Sequence, residues 1–388
     1  MSTRLLDRVR SRLIEAHADA TPTRVASALR AEGVVLGDDA VLGLVESLRQ
    51  ELVGAGPLEP LLRTGEVTDV LVNGPSNVWI DRGNGLELTD VVFRSDDEVR
   101  KLAQRLASSV GRRLDDSTPF VDARLPDGSR LHAAIPPVAV EGTLISIRVP
   151  QRRAFTLDEL IAIGSIDATG AQWLRSLIDQ RLAFVISGGT GSGKTTILST
   201  LLGLVSADER IVMIEDSAEL MPIHPHAVRL QSRVANVEGA GLITMRDLVR
   251  QALRMRPDRI VVGEVRGAEV VELLTALNTG HEGGCGTVHA NSAADVPARL
   301  EALGLTAGLD RLAVHALVAA GLDAVLHLQR DSNGKRVVEG IYVLTRGEDQ
   351  LVRAVPALRR HGGQLLPEPG IRQLTDRIGA SQPSGRAQ

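Results

Sequence analysis

The stretch Gly188-Gly189-Thr190-Gly191-Ser192-Gly193-Lys194-Thr195-Thr196 constrains this chain more than any other. It fits G-x-x-x-x-G-K-[ST] and stands between two segments of contrasting pattern. Before it, Ala183-Phe184-Val185-Ile186 is short, apolar and partly β-branched, which reads as a buried strand. After it, Thr196 to Val205 carries apolar residues at helical spacing. Glycines let successive main-chain N–H groups converge on phosphate oxygens where a Cβ would clash, and the helix N-terminus adds positive potential. Lys194 is then the cationic partner of the β- and γ-phosphates, and the Thr195 hydroxyl a ligand for Mg²⁺. A chance glycine-rich turn is the plain alternative, but it does not account for the full spelling between strand and helix. The stretch predicts a site for a nucleoside triphosphate with Mg²⁺.

Composition narrows the rest. At 388 residues the chain has room for two or three domains, and its 24% charged content is that of a globular protein. A formal net charge of −4 and only 2% aromatic residues argue against bulk nucleic-acid affinity and against base stacking. The single cysteine, Cys285, excludes an internal disulfide framework and suits a reducing cytoplasm. Met1 to Ala20 is charged throughout, so no signal peptide is expected, and no apolar run approaches the ~18 residues of a membrane span.

Along the chain, residues 1–53 are expected to be a helical segment, from Leu5, Leu6, Val9, Leu13 and Ile14 and again from Val41 to Leu52, with Thr21-Pro22-Thr23 as a break. Residues 54–150 read as a smaller α/β domain. Strands are predicted at Asp69–Val72, Val78–Asp81, Leu86–Leu88, Val91–Phe93, Asp122–Leu125, Arg130–Ile135 and Leu144–Val149, and Ser95 with Glu98 opens a helix. Residues 151–164 are expected to be a linker. From 165 to 378, helices and apolar strands alternate, as in a parallel sheet with helices on both faces. Residues 379–388 have the composition of a disordered tail.

Three further clusters carry chemistry. Arg210 to Asp216 and Arg259 to Glu264 are apolar strands ending in carboxylates. In a parallel sheet such strand ends gather at the P-loop edge, where Glu215, Asp216 and Glu264 are candidates for the Mg²⁺ shell or for orienting water. Capping of the following turns is the plainer role. Position 263 is glycine where many P-loop enzymes carry aspartate, so one carboxylate must come from elsewhere. Arg246, Arg250 and Arg254 fall on one helical face, which calls for phosphate, a carboxylate of a neighbouring subunit, or solvent opposite them. His281 and His289 flank a glycine-rich turn and are candidates for sensing a γ-phosphate.

Taken in order, the P-loop, Ile214-Glu215-Asp216-Ser217-Ala218-Glu219-Leu220, Leu253 to Arg259, Val262-Gly263-Glu264-Val265-Arg266-Gly267 and Gly280-His281…Thr287-Val288-His289-Ala290-Asn291 resemble the type II/type IV secretion-system ATPases. The closest subgroup by these motifs is the tight-adherence pilus ATPases, and the similarity covers about Gly54 to Glu339. The resemblance implies a RecA-like P-loop domain preceded by a PAS-like α/β domain. It implies a homohexameric motor, peripheral at the cytoplasmic membrane, that acts with an inner-membrane platform protein of a pilus, secretion or conjugation apparatus. Glu215, Asp216 and Glu219 match the family's Asp box, Glu264 its atypical Walker B glutamate, and His281 and His289 its His box. Gly263 fits that pattern. Arg130 and Arg148 match arginines that reach nucleotide from the N-terminal domain. The resemblance thus makes Lys194, Glu215, Glu264, Arg148 and His289 catalytic candidates, with Arg130 and His281 on the nucleotide. No four-cysteine zinc site is present. A nucleic-acid translocase on the same core and a P-loop kinase are the competing readings; no direct nucleic-acid partner is expected.

Overall fold

The computed structural model describes residues 22–31, 34, 54–83, 85–150, 154–233, 235, 240–280 and 282–380. Contacts divide the chain into two compact units, Met1–Gln151 and Arg152–Gln388.

In the first unit, helix α1 (Pro22–Ala31) begins where the sequence reading placed a break. Proline lacks only an N–H that a helix's first turn leaves unbonded, so it opens a helix here. The apolar spacings at Leu5–Ile14 and Val41–Leu52 lie outside the described residues. There follow α2 (Glu59–Arg63), β1 (Asp69–Asn73), β2 (Val78–Asp81), β3 (Leu86–Leu88), α3 (Asp96–Ser109), β4 (Phe120–Arg124), β5 (Arg130–Ala134) and β6 (Leu144–Arg148). The strands form one antiparallel sheet in the order β3-β2-β1-β6-β5-β4. Alternate residues Val70, Val72, Leu131, Ala133, Ile145 and Ile147 share a core with Val99, Leu102 and Leu106 of α3. Ser95 accepts from the Glu98 N–H and caps that helix. Val91-Val92-Phe93, expected as a strand, is not one: Phe93 N–H bonds the Pro75 carbonyl and its ring enters the core, but no ladder forms.

The second unit opens earlier than the linker reading allowed. Helix α4 (Leu157–Ala162) lies inside residues 151–164, capped by the reciprocal pair Thr156 and Glu159, and its Leu157 and Leu160 are core residues. Then come α5 (Ala168–Asp179), β7 (Phe184–Gly188), α6 (Lys194–Leu202), β8 (Ile211–Glu215), β9 (Ala227–Gln231), α7 (Met245–Ala252), β10 (Arg259–Val262), α8 (Glu269–Leu277), β11 (Cys285–Val288), α9 (Val296–Thr306), α10 (Arg311–Gly321), β12 (Ala324–Arg330), β13 (Arg336–Arg346), β14 (Val352–His361), β15 (Gln364–Pro367) and α11 (Ile371–Ala380). Their sheet runs β15-β14-β13-β12-β7-β11-β10-β8-β9. From β12 to β9 neighbours are parallel, while β13, β14 and β15 add an antiparallel extension that the alternating pattern did not announce. α11 also takes in Gly379 and Ala380, which composition had assigned to the tail.

Strand β7 explains its own spelling. Phe184 and Ile186 join the core formed with α5 and α6, whereas Ala183 and Val185 join the opposite core with α7, α8 and α9. A strand covered on both faces has no polar alternation to show. The parallel register brings the C-terminal ends of β7, β8, β10 and β11 to one edge, which is where such sheets bind ligands.

Candidate functional site

The loop between β7 and α6 has the form its sequence demands. A Cβ on Gly188 would stand 2.5 Å from the Leu328 carbonyl oxygen and 2.6 Å from Ser192 Oγ, so only glycine fits there. Lys194, the first residue of α6, is 8% exposed, and its Nζ donates to the carbonyls of Gly188 and Gly189, at 2.9 Å each. The residues above it, Gly189, Thr190 and Gly191, are exposed. This is a backbone cradle with its cation beneath it, and it fits a phosphate chain. Burial, helped by Arg266 and opposed by Glu264, lowers the Lys194 pKa from its ordinary value.

A second imidazole-centred contact completes the cradle. His289, just beyond β11, places Nδ1 3.4 Å from Lys194 Nζ and Nε2 2.7 Å from Glu264 Oε1. Ammonium has only donors, so Nδ1 must be the acceptor and the proton sits on Nε2; the approach of Nε2 to Glu264 is a close polar contact without hydrogen-bond geometry, and Oε1 has no hydrogen-bond partner among the described residues. Burial and the Lys194 charge lower the His289 pKa, in keeping with that neutral tautomer. Glu264, just beyond β10, also bonds the Arg266 guanidinium. Burial works to raise the Glu264 carboxyl, but Arg266, His289 and Lys194 outweigh it and hold it below the usual value. The carboxylate is therefore ionised and aimed into the site.

Glu215 reaches the same edge from β8 and is 4% exposed. Its Oε1 accepts from the N–H groups of Glu219 and Leu220, at 2.9 Å each, which is the turn-capping role. Burial, opposed by those N–H groups, pushes its pKa up to about 7. Ile214 pairs with Val262, so Glu215 lies beside Gly263, and a Cβ on Gly263 would stand 2.6 Å from Glu215 Cγ. The glycine at 263 makes room for a carboxylate delivered by the neighbouring strand.

Other expectations are redrawn. Arg246 and Arg250 both bond Glu272 Oε1, at 2.5 and 2.9 Å, so a carboxylate of α8 in the same chain faces them, while both side chains stay partly exposed. His281 lies outside the described residues. Gly283 packs beside Arg181 and Arg259, where β10 begins, and from there to His289 the chain runs the length of β11 at about 3.3 Å per residue. Among the described residues, His289 is the imidazole beside Lys194. In the first unit, Arg130 and Arg148 are cross-strand neighbours on β5 and β6, bonded to Asp122 and Asp69 respectively. Cys285 is fully buried and its thiol is pushed up to about 12, which removes it from nucleophilic chemistry.

Among the described residues, no three His, Cys, Asp or Glu side chains gather into a ready metal site. Glu215 faces its turn, Glu264 faces Arg266 and His289, and Asp216 Oδ1 takes the Ser232 hydroxyl at 3.1 Å. Glu215, Asp216 and Glu264 thus all reach or border this edge, each with a protein partner of its own. Mg²⁺ beside a nucleotide needs only one or two protein oxygens, with phosphates and water supplying the rest, and Thr195 on α6 fits that role. Two residues escaped sequence reasoning. Arg336, on β13, donates to the Gly191 carbonyl at 2.9 Å, and His327, on β12, sits beside Ser187. Neither belongs to a local motif, because both arrive through strand pairing.

The chain matches the family model for type II/IV secretion system protein over residues 51–357. It is 55% identical over 323 residues to a Mycobacterium tuberculosis protein named provisionally for conjugal transfer, covering 82% of this chain and 92% of that one. It is 33% identical over 282 residues to the conjugal transfer protein TrbB of Rhizobium radiobacter, covering 71% of this chain and 84% of that one. Among solved structures, the ATPase DotB of Yersinia pseudotuberculosis superposes with a TM-score of 0.54 at 18% identity, over 79% of this chain and 80% of that one. That last likeness is one of fold.

Proposed function

Since the chain belongs to the type II/IV secretion system protein family, we propose that it is the motor ATPase of a membrane-embedded pilus, secretion or conjugation apparatus, built as a homohexamer. ATPase activity is that of the family. The observation that carries the reading is the continuous contact from the P-loop carbonyls through Lys194 and His289 to an ionised Glu264. Phosphate oxygens compete with His289 Nδ1 for the Lys194 ammonium, so nucleotide binding changes the partner of the same histidine that faces Glu264. Glu264 then orients the attacking water, and Glu215 supplies the second acidic group at this edge. Mg²⁺, when bound through Thr195, supplies charge neutralisation on the phosphates.

We further assign Arg130 and Arg148 to the outer phosphate oxygens, in the same subunit or a neighbour. Both are half-exposed at 42% and 55%, and their carboxylate partners are the kind an anionic ligand can displace. We place the protein with the tight-adherence pilus ATPases on its motifs, and in the cytoplasm as a peripheral partner of an inner-membrane platform protein. Among the described residues no helix is long and apolar enough to cross a membrane.

Steady-state ATP turnover and solution mass, each measured with and without Mg-ATP, test the proposal. Turnover that disappears in Lys194→Ala together with an ATP-favoured hexamer supports it. Full-speed hydrolysis by that variant, or by a monomer, overturns it.

A further inference from the structure

Strands β12 and β13 form a hairpin whose tip lies beside the phosphate loop. Its turn is fixed. Asp331 N–H bonds the Lys335 carbonyl at 2.8 Å, and Asp331 Oδ1 accepts from the N–H groups of Asn333 and Lys335, at 2.9 Å each. Arg330 and Arg336 stand directly opposite each other where the two strands meet that turn. Like charges directly opposite in an antiparallel pair are destabilising, so sheet formation gives no reason for two arginines there. Both side chains instead approach one short turn of the P-loop. Arg336 Nε donates to the Gly191 carbonyl at 2.9 Å, and a Cβ on Gly193 would stand 3.5 Å from Arg336 Cδ. A Cβ on Gly191 would stand 3.4 Å from Arg330 Nη2, while Arg330 Nη1 donates to the Gly334 carbonyl at 3.1 Å and so keeps that side chain on the hairpin.

Gly191 and Gly193 have φ of 68° and 97°, and such left-handed residues among ordinary ones turn the loop's N–H groups to one side and its carbonyls to the other. Those carbonyls need holders. Lys194 takes the carbonyls of Gly188 and Gly189, and the Ile197 N–H takes that of Gly193. The Gly191 carbonyl is taken by Arg336, from a strand outside the β7–α6 unit. Glycine keeps more conformational freedom than any other residue, so a turn with this carbonyl released samples shapes in which the N–H groups do not converge. Only the converged fraction binds phosphate, and the apparent dissociation constant rises in proportion. We propose that Arg336 is a positioning residue of the nucleotide site, holding the Gly191 carbonyl outward from β13 and so keeping the P-loop N–H groups preset for a phosphate chain. The proposal rests on the ATPase reading above.

Arg336→Gln and Arg336→Lys in the full chain separate the tether from the charge. Glutamine Nε2 occupies the same place along the side chain as arginine Nε, one bond beyond Cδ, so it keeps the donor without the charge. Lysine keeps the charge but has a carbon at that place. ADP affinity is measured by equilibrium titration, and KM and kcat for ATP by steady-state turnover. Arg336→Ala and Arg336→Lys are expected to weaken ADP binding about tenfold, raising KM by a similar factor and lowering kcat by less, and Arg336→Gln to restore most of the loss. A lysine variant that binds like wild type beside a glutamine variant that binds like alanine would mean that the guanidinium acts on the phosphates by its charge, and would overturn the assignment. A loss confined to kcat overturns it as well. Should Arg336→Ala fail to fold by circular dichroism, the comparison of glutamine with lysine still decides. A wild-type protein that binds no ADP removes both this proposal and the ATPase reading. A wild type that binds ADP no better than Arg336→Ala removes only this one.

Discussion

Replacing Glu215 by glutamine separates the energetic cost of its charge from its place in the site. The carboxyl is buried at the end of β8; one oxygen takes two main-chain N–H groups, and the other has no hydrogen-bond partner among the described residues. Burial raises its pKa from 4.5 to about 7. The folded state therefore binds more protons than the unfolded state within that window, and stability falls as pH rises through it. With a pKa change of about 2.5 and about 1.4 kcal/mol for each pH unit, the full effect is about 3.5 kcal/mol. Most of it, roughly 2–3 kcal/mol, is lost between pH 5 and pH 8. Glutamine does not titrate, and whatever its amide costs in place of the unpartnered oxygen is the same at both pH values.

The quantity to measure is therefore a double difference: the unfolding free energy of Glu215→Gln minus wild type, at pH 8 minus pH 5. It is expected to favour the variant by roughly 2–3 kcal/mol. Urea unfolding followed by tryptophan fluorescence in a Trp79→Phe background reads the second unit alone, since Trp173 lies on α5 and Trp79 on β2. A double difference below about 1 kcal/mol would show that the folded protein solvates the Glu215 charge after all, and would refute the reasoning.

Glu264→Gln keeps the shape of the side chain but removes the charge that faces His289, so ATP affinity should persist while turnover falls at least tenfold; equal losses in both would make Glu264 structural. Gly263→Ala should cost about 1–3 kcal/mol by driving a methyl into Glu215, and Glu215→Ala should recover part of that in a double-mutant cycle; simple additivity would disprove the contact. Arg148→Ala should lower turnover far more than ATP affinity, and mixing it with Lys194→Ala subunits should recover activity if the guanidinium acts on a neighbouring subunit's nucleotide. Unchanged turnover in Arg148→Ala would remove that arginine from the site.

What the sequence made legible was local. The β7–P-loop–α6 unit could be read because a doubly covered strand is a bare apolar run and the cradle is contiguous. Glu215 and Glu264 could be placed because carboxylates at the ends of apolar strands share an edge once the sheet is parallel. Three kinds of feature stayed hidden. Helix α4 is too short to show a period, so its Thr156–Glu159 capping box was passed over as linker. Val91–Phe93 has strand composition but lacks a partner ladder, and composition cannot report a missing partner. Contacts between elements distant in sequence, such as Arg246 and Arg250 on Glu272, or His327 on Ser187, depend on which elements become neighbours.

Gly263 belongs to both kinds at once. Its departure from aspartate was visible in the sequence, but its reason was not, because the reason is a side chain on another strand. With Gly263 N–H bonded to the Ile214 carbonyl at 2.8 Å, the main chains of the two strand ends are in contact, and the volume above them holds one side chain. Glu215 occupies it, already burdened by burial. An aspartate at 263 would put a second carboxylate into the same space, where like charges keep one of the two protonated. Glycine at 263 leaves that space to the Glu215 side chain, and the end of β10 offers its own carboxylate one residue later, at Glu264.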